Sequence, residues 1–130
     1  MKIDFIKEYD SKFPKDSILR IYDFNTEGIK KLLKIFGELA EGKIPEIDLG
    51  HYSFISSVGG INLILKIGTD DIGVVQTSES DFVCTLTKYG WVNAINLAQP
   101  FSESVDANRY QWLYDLGTDI DLLLSSSGKW

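Results

Sequence analysis

Apolar positions along the chain follow two different periods. Between Thr26 and Glu41, the residues Ile29, Leu32, Leu33, Phe36, Leu39 and Ala40 recur at the three- and four-residue spacing of one helical face. Asn25 or Thr26 can cap the start, and Gly42 can supply the left-handed residue at the end. The spacing predicts a helix over 26–41, with Lys30, Lys31 and Lys34 on its solvated side. A second helix is expected from Tyr89 to Gln99, where Trp91, Ala94, Ile95 and Ala98 share a stripe and Pro100 marks the stop.

After Pro45 the pattern changes to short strand-like runs: Glu46–Leu49, Tyr52–Val58, Ile61–Ile67, Gly73–Ser78 and Phe82–Thr87. Gly59-Gly60, Thr69-Asp70-Asp71 and Ser78-Glu79-Ser80-Asp81 provide turns between them. Such short spacings favour antiparallel hairpins, because a parallel pair needs a crossover of about a dozen residues or more. Ser17–Phe24 reads as a strand covered on both faces, and Tyr110–Tyr114 and Ile120–Leu124 as two more around Gly117. In the first of these last two, Tyr110, Trp112 and Tyr114 are expected on one face. Residues 2–13 suit either a helix through Ile3, Ile6, Tyr9 and Phe13 or a strand through Met1, Ile3 and Phe5; the helix is expected, ended by Pro14. The fold expected is α+β, a single domain over residues 1–130. It comprises an antiparallel sheet of about five to seven strands with two main helices packed on one face.

At 130 residues the chain is long enough to bury a sizeable core, and 44% hydrophobic composition with 7 Phe, 6 Tyr and 3 Trp argues against disorder. The lone Cys84 cannot form an intramolecular disulfide. Charges at Lys2, Asp4, Lys7 and Glu8 interrupt any apolar leader, and no apolar run has the length of a membrane span. A cytoplasmic protein without membrane association is expected.

Charge sharpens the picture. Residues 1–44 carry a net charge of +1, whereas residues 45–130 carry −7. A surface of that sign attracts a cationic partner and repels nucleic acid, whose phosphates need basic residues that are missing here.

Catalytic vocabulary is sparse. His51 is the single histidine, beside Gly50 and Tyr52, and reads as a turn or strand-edge residue. Cys84 lies in the alternating run FVCTLT and reads as a small buried apolar group. No G-x-S-x-G elbow is present, and Ser56–Gly60 lacks the spacing of a phosphate loop. No catalytic residue, metal ligand or cofactor is assigned. The carboxylates are more suggestive: Asp70, Asp71, Glu79 and Asp81 flank one expected hairpin, and Asp115, Asp119 and Asp121 crowd another. Paired acids can hydrolyse glycosides or hold a cation, but D-x-x-x-D-x-D is not a calcium-loop pattern. With Trp112 and Tyr114 as anchors, these seven acids form the candidate partner-binding set. Two other classes remain open at this point, a small carboxylate-dependent hydrolase and a non-catalytic oligomerising scaffold.

A small acidic α+β domain without catalytic motifs, carrying the aromatic and acid-rich stretch YQWLYDLGTDIDLLLSSSGKW over residues 110–130, resembles the immunity proteins of bacterial polymorphic-toxin and contact-dependent inhibition systems. The resemblance implies a monomer or homodimer that binds the C-terminal toxin domain of a cognate effector, often a basic nuclease. It would block that domain by steric and electrostatic occlusion. Those families share no common motif, so the residues named above are readings of this sequence alone.

Overall fold

The computed structural model describes residues 1–7, 17–104, 109–115 and 119–127. Among these residues nine strands and two α-helices follow one another as β1 (Lys2–Ile6), β2 (Ser17–Tyr22), α1 (Thr26–Ala40), β3 (Glu46–Asp48), β4 (Ser56–Ser57), β5 (Asn62–Ile67), β6 (Gly73–Gln76), β7 (Asp81–Leu86), α2 (Lys88–Ala98), β8 (Tyr110–Tyr114) and β9 (Ile120–Ser125). The class is α+β with two helices, as expected, but the strands form two mixed sheets, ordered β4-β1-β2-β9-β8 and β3-β5-β7-β6.

Helix α1 forms where its apolar stripe and both end signals agree. The Asn25 side chain accepts from the Gly28 N–H at 2.9 Å. At the other end Gly42, at φ +71°, lets its own N–H reach the Leu39 carbonyl and the Lys43 N–H reach that of Glu38, a Schellman closure. Ile29, Leu32, Ile35, Phe36 and Leu39 face inward. Phe36 meets Trp91 of α2 with ring centroids 5.3 Å apart, and the Trp91 indole N–H donates to the Lys66 carbonyl at 3.0 Å, fastening α2 to β5.

The expected helix over residues 2–13 is instead a strand in its described part, while Tyr9, Phe13 and Pro14 lie outside the described residues. Lys2–Ile6 pairs antiparallel with Tyr22–Ile18 throughout, a ladder that local periodicity over five residues cannot outvote. Alternation buries Ile3, and Phe5 stacks on Phe82 of the second sheet with centroids 4.7 Å apart. Tyr52–Val58 is mostly turn, with only Ser56 and Ser57 in a strand, because successive reverse turns at Leu49–Tyr52 and Tyr52–Ile55 fold the chain back.

Of the antiparallel hairpins expected after Pro45, β6–β7 forms, and β3 pairs antiparallel with β5, but a crossover sets β5 beside β7. β5 and β7 run parallel in the middle of their sheet, with β6 returning antiparallel on the outside of β7. In the other sheet β9 inserts between β2, to which it is parallel, and β8. One core joins both sheets and both helices, through residues such as Leu19, Leu122, Leu65, Phe82, Cys84, Leu32 and Trp91. No helix among the described residues is long and apolar enough to cross a membrane.

Candidate functional site

Asp71 lies in the β5–β6 connection and reaches the first turn of α2. Its Oδ1 accepts from the Thr87 N–H at 2.7 Å and from the Thr87 hydroxyl at 2.9 Å. Thr87 in turn caps the helix by accepting from the Gly90 N–H at 3.2 Å. Asp71 thus fixes the helix entry from an exposed position.

Tyr114 arrives from the other sheet. Its hydroxyl donates to the Asp71 carbonyl at 3.0 Å, and burial beside the Asp71 charge raises the phenol above its ordinary pKa. It reaches that position because the β8–β9 ladder is irregular. Trp112 pairs with Leu123 but Tyr114 pairs with Leu122, leaving Leu113 as the extra residue of a bulge. The expected common face of Tyr110, Trp112 and Tyr114 is therefore broken. Tyr110 and Trp112 stay together, ring edge to face at 6.5 Å, whereas Tyr114 turns to the face of Leu122.

Asp71, Trp112, Tyr114 and Asp115 line a shallow groove of about 240 Å³ with Tyr89, Asn93 and Leu97 of α2. Tyr89, which the sequence reading did not single out, is 81% exposed. Its signal was its place two residues before Trp91, on the side of α2 opposite the Trp91–Ala94–Ala98 stripe, where an aromatic ring has no core to fill.

The remaining acids are divided between different places. Asp70 precedes Asp71, Asp115 follows β8 and Asp119 precedes β9; all are exposed. Glu79 and Asp81 are exposed at the β6–β7 turn, at the opposite end of β6 from Asp71. Asp121 does not belong with them. It is half-buried within β9, in register with Ile18 on the face that also carries Arg20 and Leu123. The ion pairs among described residues are Lys2–Asp23, Arg20–Asp4, Lys30–Glu27, Lys43–Glu41 and the His51–Asp48 approach at 3.6 Å. None involves Asp70, Asp71, Glu79, Asp81, Asp115 or Asp119.

Larger hollows beside α1 have a different character. One of about 420 Å³ is lined by Met1, Asp23, Asn25, Glu27, Lys31 and Phe54, and a neighbour of about 300 Å³ by Lys31, Lys34, Glu38 and Tyr52. Charges of both signs mix there, and the Lys31 ammonium rests 5.3 Å from the Phe54 ring centre. Neither hollow presents a field of one sign.

Cys84 is fully buried, and burial, reinforced by the Asp71 charge, pushes its thiol up to about 12, which leaves no thiolate for nucleophilic attack. His51 is exposed on a single turn of 3₁₀ helix, Leu49–His51. No group of three potential metal ligands gathers among the described residues. Comparison with protein-family models, curated proteins and solved structures finds no match for this chain.

Proposed function

We propose that this chain is an immunity-type inhibitor, which binds a cationic toxin domain in the cytoplasm and neutralises it by electrostatic and steric occlusion. One observation carries the reading: Asp70, Asp71, Glu79, Asp81, Asp115 and Asp119 are exposed at the ends of β6, after β8 and before β9, with no lysine or arginine paired to them among the described residues. Uncompensated carboxylates raise the local concentration of a basic partner and speed its encounter. Tyr89 and Tyr114 supply the aromatic surface that can hold it once docked, because such side chains dominate binding energy when a partner covers them.

The chain acts here as a monomer or homodimer without cofactor, and occupancy of the partner's surface replaces chemistry. Co-expression in bacteria with the toxic domain encoded beside it tests the proposal. Restored growth together with co-purification is the expected result. Toxicity that the chain neither relieves nor binds refutes the reading.

A further inference from the structure

The four outer strands, β4 and β8 of one sheet and β3 and β6 of the other, differ in how they discourage a further strand, and β8 is interrupted by its bulge at Leu113. β4 is two residues long, and β3 is short and carries Glu46 and Asp48; shortness and charge both oppose edge pairing. β6 has no such protection. The run Ile72–Ser78 contains no charge and no proline, and Ile72 and Val75 are 50% and 45% exposed. Its backbone is also oriented to accept a neighbour. Thr77 donates to the Asp81 carbonyl at 2.8 Å, so alternation along the antiparallel ladder turns the N–H and C=O of Val74 and Gln76 away from β7.

Charge decides what can pair there. Asp70 and Asp71 stand before this edge, and Glu79 and Asp81 stand after it. A second copy added antiparallel would set Asp70 and Asp71 of one chain against Glu79 and Asp81 of the other, and a parallel copy would set like residues together. Both arrangements repel. We infer that the β6 edge receives an extended segment of the partner, neutral in its middle and basic at both ends, which adds to the sheet as a fifth strand. This rests on the reading of the partner as cationic and gives the manner of its docking.

The probe is a nine-residue peptide of alternating threonine and valine with lysine and arginine at both ends, compared with the same peptide ending in glutamates. Binding is followed by NMR on the full chain. The basic peptide is expected to bind about tenfold more tightly than the acidic one and to slow hydrogen exchange at the Val74 and Gln76 amides.

Gln76→Pro removes an N–H that makes no bond to β7, and a proline is tolerated at such an edge position. It should fold, as thermal unfolding will show, and lose about tenfold in affinity. Gln76→Ala, which gives up only the side-chain bond to the Glu79 carbonyl, should bind as the parent does. Val75→Lys, on an exposed side chain, is the second blocking variant. Equal binding of the two peptides, no binding at millimolar concentration, or undiminished affinity in both blocking variants overturns the inference. Growth rescue without any of these peptide effects would remove the edge and leave the inhibitor; peptide binding without rescue would do the reverse.

Discussion

The Asp71 carboxylate occupies space that a side chain on Gly90 would need. A Cβ placed at Gly90 would stand 2.6 Å from Asp71 Oδ1 and 2.9 Å from Leu86 Cβ, closer than atoms approach without movement. The glycine in the first turn of α2 and the acid from the β5–β6 connection are therefore fitted to one another.

Alanine for glycine inside a helix ordinarily stabilises by up to about 1 kcal/mol. At position 90 the sign should reverse, with Gly90→Ala lowering stability by about 1–2 kcal/mol because Asp71 must leave Thr87. Asp71→Ala should cost a similar amount, and the double variant less than the sum of the two, since both break the same contact. Urea unfolding of the four proteins tests this; additive losses would show that the two residues act separately.

Cys84 makes stability depend on alkaline pH. Below the ordinary thiol value of 9.0 the folded and unfolded chains are both protonated and the contribution is complete. Between 9.0 and about 12 the unfolded chain loses its proton while the buried thiol keeps it, so stability falls as pH rises. Tyr114 is raised in the same direction and adds to the decline above its own ordinary value. Cys84→Ala should flatten the profile relative to the parent, and native Cys84 should resist iodoacetamide at pH 8 until denaturant is added. Rapid native alkylation would contradict the buried placement.

Arg20 and Asp4 form a two-pronged pair across β1 and β2, Nε to Oδ1 at 2.9 Å and Nη2 to Oδ2 at 2.7 Å, with side chains only 13% and 17% exposed. The Asp4 hydrogen bond holds the guanidinium above its ordinary pKa, and the group also lies 4.2 Å from the Tyr22 ring centre. Asp4→Ala should cost about 2–3 kcal/mol, and Arg20→Lys about 1–2 kcal/mol through loss of the fork and the ring stacking. Chemical denaturation at low and high salt measures both; a cost below about 0.5 kcal/mol would place the pair with ordinary surface bridges.

Partner association should be electrostatically driven. Asp70, Asp115 and Asp119 changed together to Asn should slow association about tenfold at low salt and flatten its salt dependence, with little change in dissociation. Tyr89→Ala should instead speed dissociation. Stopped-flow kinetics with the co-purified partner separates the two effects. Asp71 is left unchanged because its loss would also disturb α2.

Much of this molecule can be read locally. Helix α1 has an apolar stripe, an Asn25 cap and a Gly42 closure that all agree, so its limits follow from neighbouring residues. Residues 2–6 have no such agreement, and their state is decided by distant partners, Ser17–Tyr22 on one side and Ser56–Ser57 on the other. The parallel pairing of β5 with β7 depends on where β6 goes, which short-range spacing does not encode. At the site, acid-rich turns were legible as polar surface. Three things were not. Asp71 acts on Thr87, sixteen positions later in the chain. The bulge at Leu113 parts Tyr114 from Trp112. The half-buried place of Asp121 follows from its register with Ile18 on a central strand. Gly117 and Trp130 lie outside the described residues.

The position of β9 also governs when the protein can become functional during its synthesis. Leu19 and Ile21 are synthesised about a hundred residues before Leu122–Leu124, the strand registered beside them. Until that strand emerges, the first hairpin presents an open apolar edge, a situation that slows folding and invites chaperone capture. A nascent chain stalled before residue 120 would thus lack the strand that joins β2 to β8, and a protease pulse during translation should cut it readily. Protection should appear in one late step, when β9 slots between β2 and β8.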